Sequence, residues 1–304
     1  MAPTRRHLLS AAACLIAAPA AAQQTARLVR HAQGEAAIPT DPQRVVVFDI
    51  AALDILDAIG VERIIGVAGT TFPPFLSRYA DPRYARLGTL FEPNYEAVNA
   101  ARPDLIIIGG RSAAKHADLS RIASTIVLHG GTGGTIDRVE ENALMLAGIF
   151  GRQDAARSAI ATLRDAVATT RARAAGQGKA LVVLTTGTRM SAYGPGSRFG
   201  LIHDELGVAP AVPDLAVSSH GQAVGAEFIL QANPDRLFVV DRDAAIGRAG
   251  GARRLLDNPL VRQTGAWRQG RVHYLDPVTW YVAPGGLQGT TLMVREIAAA
   301  YGAA

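Results

Sequence analysis

Residues Glu96–Arg111 read EAVNAARPDLIIIGGR, and residues Glu227–Arg242 read EFILQANPDRLFVVDR. Each stretch opens on glutamate, carries Pro-Asp at the same internal offset, runs into consecutive apolar residues and closes on arginine. The run after Pro-Asp has the character of a strand covered on both faces, as in parallel sheets. One pattern written twice at so long a period marks two duplicated lobes and not a solenoid.

The flanking sequence extends the repeat. Arg44–Phe48 (RVVVF) is a buried strand, and Leu53, Leu56 and Ile59 follow at helical spacing, ending at Gly60. Ile64–Val67 is the next strand, Glu96–Ala101 a short helix, and Leu105–Ile108 a further strand. In the second half Ala180–Leu184 matches the first strand, and Ile202–Val208 parallels Ile55–Val61. The second copy carries extra loop, Thr185–Gly200, between its first strand and its helix. Between the halves, residues 153–175 lack Gly and Pro, and Ala156, Ile160, Leu163 and Val167 form an apolar stripe. The expected fold is therefore α/β, with two similar Rossmann-like lobes joined by one long α-helix and a ligand cleft between them. The boundaries fall at 23–151 for the N-terminal lobe, 152–176 for the connecting helix and 177–304 for the C-terminal lobe. Strands of such lobes end at the ligand crevice, so Arg111 and Arg242 are expected to face each other across it.

Residues 1–22 stand apart as an export signal: Arg5-Arg6, a short Ala/Leu-rich run, and an Ala-x-Ala end at Ala20–Ala22. Export through a twin-arginine or a general secretory signal makes the periplasm the expected location. Cys14 is the only cysteine of the 304 residues and is read as lost with the leader, which leaves no thiol chemistry. Loss of Arg5 and Arg6 lowers the formal charge of +5 by two, too mild an excess to point to nucleic acid.

The inserted loop contains Ser191–Gly200, SAYGPGSRFG, whose glycines and proline fix a tight turn with Arg198 beside Tyr193 and Phe199. Arg111, Arg198 and Arg242 together make a site for a flat, multiply negative ligand, because the planar guanidinium donates paired hydrogen bonds and stacks on aromatic faces. His220, in a small-residue loop, and Tyr281, after Trp280, are a pair whose imidazole and phenol suit trivalent iron that lacks a full set of ligand oxygens.

On Arg44–Val61, Gly88–Arg111, Ser191–Val208, Ser219–Gln222, Val239–Asp243 and Tyr274–Tyr281, the chain resembles periplasmic ferric-siderophore-binding proteins of ABC importers. The likeness is to the catecholate-binding branch of the helical-backbone, class III solute-binding proteins. The resemblance implies a binding protein and not an enzyme, with no intrinsic cofactor, whose cargo is Fe(III) bound as an anionic catecholate complex. It implies that Arg111, Arg198 and Arg242 surround the ligand; Tyr193 and Trp280 are expected to join them as ligand-binding residues. It further implies that His220 and Tyr281 complete iron coordination when the siderophore offers only four oxygens. Glu96 and Glu227 would each dock one lobe of a monomer onto the membrane permease. After Tyr281, the run Pro284-Gly285-Gly286 departs from the usual pattern of the family.

Haem, cobalamin or another iron chelate in the same cleft are the alternatives, followed by a bare divalent metal and by a two-lobed periplasmic enzyme. Bare metal would need several converging His and carboxylate ligands, whereas His129 and His203 sit in or beside unrelated elements and His116 lacks a partner set. Neutral cobalamin gives three arginines nothing to neutralise. No Ser-His-Asp signature, phosphate-cradling glycine motif or carboxylate pair favours catalysis.

Overall fold

The computed structural model describes residues 26–69, 71–130 and 133–302. The expected leader and Cys14 lie outside the described residues. A hairpin of β1 (Ala26–His31) and β2 (Gly34–Pro39) leads into β3 (Val45–Val47), α1 (Ile50–Ala58), β4 (Ile64–Val67) and β5 (Ala85–Arg86). Then come α2 (Tyr95–Ala101), β6 (Leu105–Ile108), α3 (His116–Leu119), β7 (Thr125–Val127), α4 (Thr135–Phe150) and α5 (Gln153–Ala174). Strands β3–β7 form an all-parallel sheet in the order β5-β4-β3-β6-β7.

The second half begins with β8 (Lys179–Thr186), β9 (Arg189–Tyr193), β10 (Ala209–Pro210), β11 (Gln222–Val224) and α6 (Ala226–Ala232). It continues through β12 (Arg236–Asp241), α7 (Arg242–Ala245), α8 (Ala252–Leu256), α9 (Gly265–Arg268), β13 (Val272–Tyr274) and α10 (Leu287–Ala300). Its sheet has the order β11-β9-β8-β12-β13, with β10 alongside β8.

The repeat occupies equivalent places. Strand β6 lies parallel beside β3 (Val46↔Ile106), and β12 lies parallel beside β8 (Val182↔Phe238). The duplicated Pro-Asp has a structural task. Asp104 accepts from the backbone N–H groups of Gln43 (2.7 Å) and Arg44 (2.9 Å), and Asp235 accepts from that of Lys179 (2.9 Å). Each carboxylate thus sets the start of the neighbouring central strand. Helices α2 and α6 end on left-handed residues, Arg102 and Asn233, just before the prolines, which cannot continue a helix.

Alternate strand residues divide between opposite faces, as a period of two requires. Val45, Val47, Leu105 and Ile107 enter one core while Val46, Ile106 and Ile108 enter another. In the second lobe Val182, Phe238 and Val240 join the same core as Val45, whereas Leu181, Val183, Leu237 and Val239 pack on the outer side. One apolar core therefore runs from lobe to lobe through α1, α4, α5 and α10. Helix α5, about 33 Å long at 1.5 Å per residue, buries Ala156, Ile160 and Leu163 in it and half-buries Val167. A continuous core of this kind makes the connection stiff.

Two sequence expectations need correction. Thr185–Gly200 is not simply extra loop: it contains β9, which returns antiparallel to β8 (Val183↔Ala192). Met190, Ala192 and Tyr193 are buried there, so the segment extends the sheet and only residues after Tyr193 form the turn. The segment matched to the first lobe's helix, Ile202–Val208, is a single π-helical turn (Leu201–Glu205) and not a counterpart of α1 in length.

Candidate functional site

Tyr281 is the point on which the three arginines converge. It sits in a π-helical turn, Val278–Val282, opened by Pro277. Asp276 accepts from the Thr279 N–H (2.8 Å), and Glu296 of α10 accepts from both the Asp276 N–H (2.8 Å) and the Trp280 indole N–H (2.7 Å). Burial raises the Glu296 carboxyl above its ordinary pKa, against the pull of these two donors.

Arg111 reaches across from the end of β6. Its Nη1 donates to the Val282 carbonyl (3.0 Å) and its Nη2 to the Tyr281 carbonyl (3.1 Å). Arg198 Nη2 donates to that same Tyr281 carbonyl (3.1 Å). Its guanidinium carbon lies 4.5 Å from the centroid of the Tyr281 ring and 5.0 Å from that of Phe199. Arg242, in the residue after β12, donates from Nε to the Tyr281 hydroxyl (2.8 Å) and lies 5.6 Å from its ring. The Arg198 guanidinium is held below its usual pKa, first by desolvation; the tyrosines Tyr281 and Tyr193 oppose the fall and neighbouring Arg111 adds to it. Even lowered, an arginine stays charged in water. Two cations sharing one carbonyl, with a third beside them, have unspent capacity for an anion.

Below this cluster a cavity of about 260 Å³ runs between the lobes. Asp49, His129, Arg138 and Asn142 of the first lobe line it with Arg198 and Gly285 of the second. Asp49 caps α1, accepting from the Ala52 N–H (3.0 Å); burial raises its pKa, opposed by that bond and by Arg111. Gly109 is required here because a Cβ would run into the Asp49 carboxyl. Asn142 is buried and exchanges hydrogen bonds with the backbone of His129 at 2.7 and 3.0 Å. A larger cavity of about 530 Å³ lies beside β12 and β13 in the second lobe. It contains none of the three arginines, and its carboxylates Asp241, Asp276 and Glu296 are already engaged by neighbouring N–H groups.

The structure brings Arg111, Arg198, Arg242 and Tyr281 together and revises several other expectations. Tyr193 and Trp280 do not face the cleft, being 2% and 0% exposed. They pack behind Arg198 instead: Tyr193 meets Phe199 edge-on at 4.8 Å, Phe199 lies 6.3 Å from Trp280, and the Arg198 guanidinium lies 5.0 Å from the Phe199 ring centroid. His220 is exposed, and the Gln222↔Ala192 pairing places it toward the Gly194 turn. His129, taken from the sequence as lying by an unrelated element, is in the cleft wall. His203 is buried, its Nδ1 2.8 Å from the Val208 carbonyl, and His116 packs on His31. Among the described residues no group of three His, Cys, Asp or Glu is arranged to hold a metal ion. Glu96 and Glu227 are exposed in the first turns of α2 and α6.

Two α/β lobes, one with an all-parallel sheet and one with a mixed sheet, a stiff helical connection and an anion-seeking cleft define a solute-binding protein. The chain belongs to the periplasmic binding protein family, whose pattern it matches over residues 45–279. It is a substrate-binding protein and not an enzyme. It is 38% identical over 262 residues to the petrobactin-binding protein YclQ of Bacillus subtilis (strain 168), covering 86% of this chain and 83% of that one. The YclQ crystal structure superposes with a TM-score of 0.89 at 35% identity, over 92% of this chain and all of that one (100%). The ferric-anguibactin-binding protein FatB of Vibrio anguillarum is 34% identical over 285 residues, 91% of this chain and 88% of FatB. The periplasmic catecholate-siderophore binding protein VctP of Vibrio cholerae matches with a TM-score of 0.84 and 31% identity, over 90% of this chain and 100% of VctP.

Proposed function

We propose that this protein captures an anionic ferric catecholate siderophore in the periplasm and, as a monomer, delivers it to the permease of an ABC importer. The observation that carries the reading is the sharing of the Tyr281 carbonyl by Arg111 and Arg198, with Arg242 on the hydroxyl of the same residue. A catecholate complex of trivalent iron offers what this cluster lacks: negative charge spread over rigid, flat, π-rich arms that stack on guanidinium planes. Relatives that bind ferric anguibactin, petrobactin and catecholate siderophores support the cargo class. Iron enters as part of that cargo, so no intrinsic cofactor is needed.

Titration with ferric bis- and tris-catecholates is expected to quench tryptophan fluorescence saturably at submicromolar ligand, since Trp280 is the residue next to Tyr281 and its ring lies 6.3 Å from that of Phe199 under Arg198, and to yield no product. Tight binding of haem or cobalamin together with none of a ferric catecholate would overturn the proposal.

For a ligand with only four oxygens, His220 and Tyr281 would supply the remaining two. The Tyr281 hydroxyl already accepts from Arg242, an arrangement that favours an oxygen gaining negative charge. Removing either residue is expected to shift the ligand-to-metal charge-transfer band of a tetradentate ferric complex. An unchanged band would mean that neither side chain coordinates the iron.

A further inference from the structure

Helix α10 begins at Gly286, which has no side chain to cap it. The missing cap comes from α1, more than two hundred residues earlier in the chain. Asp54, on α1, accepts from the backbone N–H of Gln288 through Oδ1 (2.8 Å) and from that of Gly289 through Oδ2 (2.7 Å). These are the donors that a helix leaves unsatisfied in its first turn. Asp54 is 0% exposed, and a Cβ at position 286 would collide with its carboxyl. The Pro284-Gly285-Gly286 departure noted in the sequence thus has a local reason: a bare backbone lets the Asp54 carboxylate of α1 close in.

What this cap holds matters for the cleft. The turn Val278–Val282, whose carbonyls receive Arg111 and Arg198, runs through Gly285 directly into α10, and Glu296 of that helix fixes the turn's other side. We propose that Asp54 is a positioning residue for ligand binding: by capping α10 from α1, it holds Tyr281 where Arg111 and Arg198 can meet it. This inference rests on the arginine cluster being the ligand site.

The device is sensitive to pH. Burial pushes the Asp54 carboxyl up to about 7, partly opposed by the N–H groups of Gly289 and Gln288, while the charge of Asp57 adds to the rise. Asp57, one turn along α1, is itself tied to Arg78 (2.6 Å) and to the Gln288 side chain (2.8 Å), and Arg78 also donates to the Tyr79 hydroxyl (2.8 Å). A carboxylate accepts both N–H bonds, whereas a protonated carboxyl turns a donor toward one of them. Ligand affinity should therefore rise with pH through about 7. Fold stability runs the other way. Because the folded-state pKa lies above the unfolded one, the folded chain binds this proton more tightly, and the group's stabilisation is lost as pH rises from about 4 through about 7. A residue that served only to stabilise the fold would make affinity follow stability; a positioning residue makes the two diverge.

The test titrates the iron(III) complex of a linear bis-catecholate into wild-type protein and Asp54→Asn. The ratio of the two dissociation constants cancels the protonation of the ligand itself. The variant is expected to bind at least about five-fold more weakly at mildly alkaline pH, a modest coupling between sites, and to converge with wild type at mildly acidic pH. A ratio independent of pH would overturn the inference. If neither protein binds the probe, the site reading fails, and the cap is examined without ligand. The amide proton resonances of Gln288 and Gly289 should then titrate near neutrality in wild type and stay flat in the variant, and flat wild-type resonances would remove the cap too. Should Asp54→Asn fail to fold, Gly286→Ala crowds the same carboxyl. It must lose more affinity at alkaline than at acidic pH, and equal losses would count against the proposal.

Discussion

Replacing Arg198 with alanine is expected to weaken the binding of a ferric catecholate by about 2–5 kcal/mol, the usual cost of truncating one partner of a hydrogen-bonded charge pair, once the ligand buries the guanidinium that the free protein leaves exposed. The size follows from what the side chain does. Arg198 carries charge, lies 4.5 Å from the Tyr281 ring centroid and donates to the Tyr281 carbonyl. In the free protein it is partly desolvated and also repels Arg111, which offsets the bond and the ring contact that its removal loses. The variant should therefore lose affinity without losing thermal stability, a combination that calorimetric titration and a melting curve read together. Lysine at this position should recover little, because a compact ammonium neither stacks on Tyr281 nor presents a planar fork. Unchanged affinity in the alanine variant would take Arg198 out of the site.

Much of this was legible in the sequence, for identifiable reasons. The duplicated stretch couples a local signal, an apolar run behind Pro-Asp, to a topological one, the equivalent place of β6 and β12 beside the central strands. Arg111 and Arg242 follow each repeat's strand, which is why reading the repeat also paired two side chains that meet at Tyr281. What the sequence concealed is mostly a matter of which way a side chain points. Trp280 and Tyr281 are neighbours in one tight turn, yet the first donates inward to Glu296 while the second meets three arginines. Tyr193 shares a stretch with Arg198, but strand β9 commits it to the core, and the glycines and proline beyond it drew attention from the strand itself. Asp49, His129, Arg138 and Asn142 converge only after α1, α4 and the sheet have packed. Asp54 reads as one more acidic residue in a helix; only the folded chain shows that its partners lie more than two hundred residues away.

Loss of both Glu96 and Glu227, as a double alanine variant, is expected to abolish siderophore uptake while leaving affinity for the ligand intact. Each carboxylate is exposed in the first turn of its helix, where it gains from the helix dipole about 0.3–1 kcal/mol, so the double change should cost the fold little. Neither side chain lines the cleft cavity or contacts the arginine cluster. Their equivalent positions, one at the head of α2 and one at the head of α6, present two like charges from two like lobes, which is what a permease built around a two-fold axis would grip. Each single variant should leave one lobe able to dock and transport at a reduced rate. Iron-dependent growth of cells carrying each variant, set beside the affinity of the purified protein, separates docking from binding. Normal growth with the double variant would mean that the permease holds some other surface.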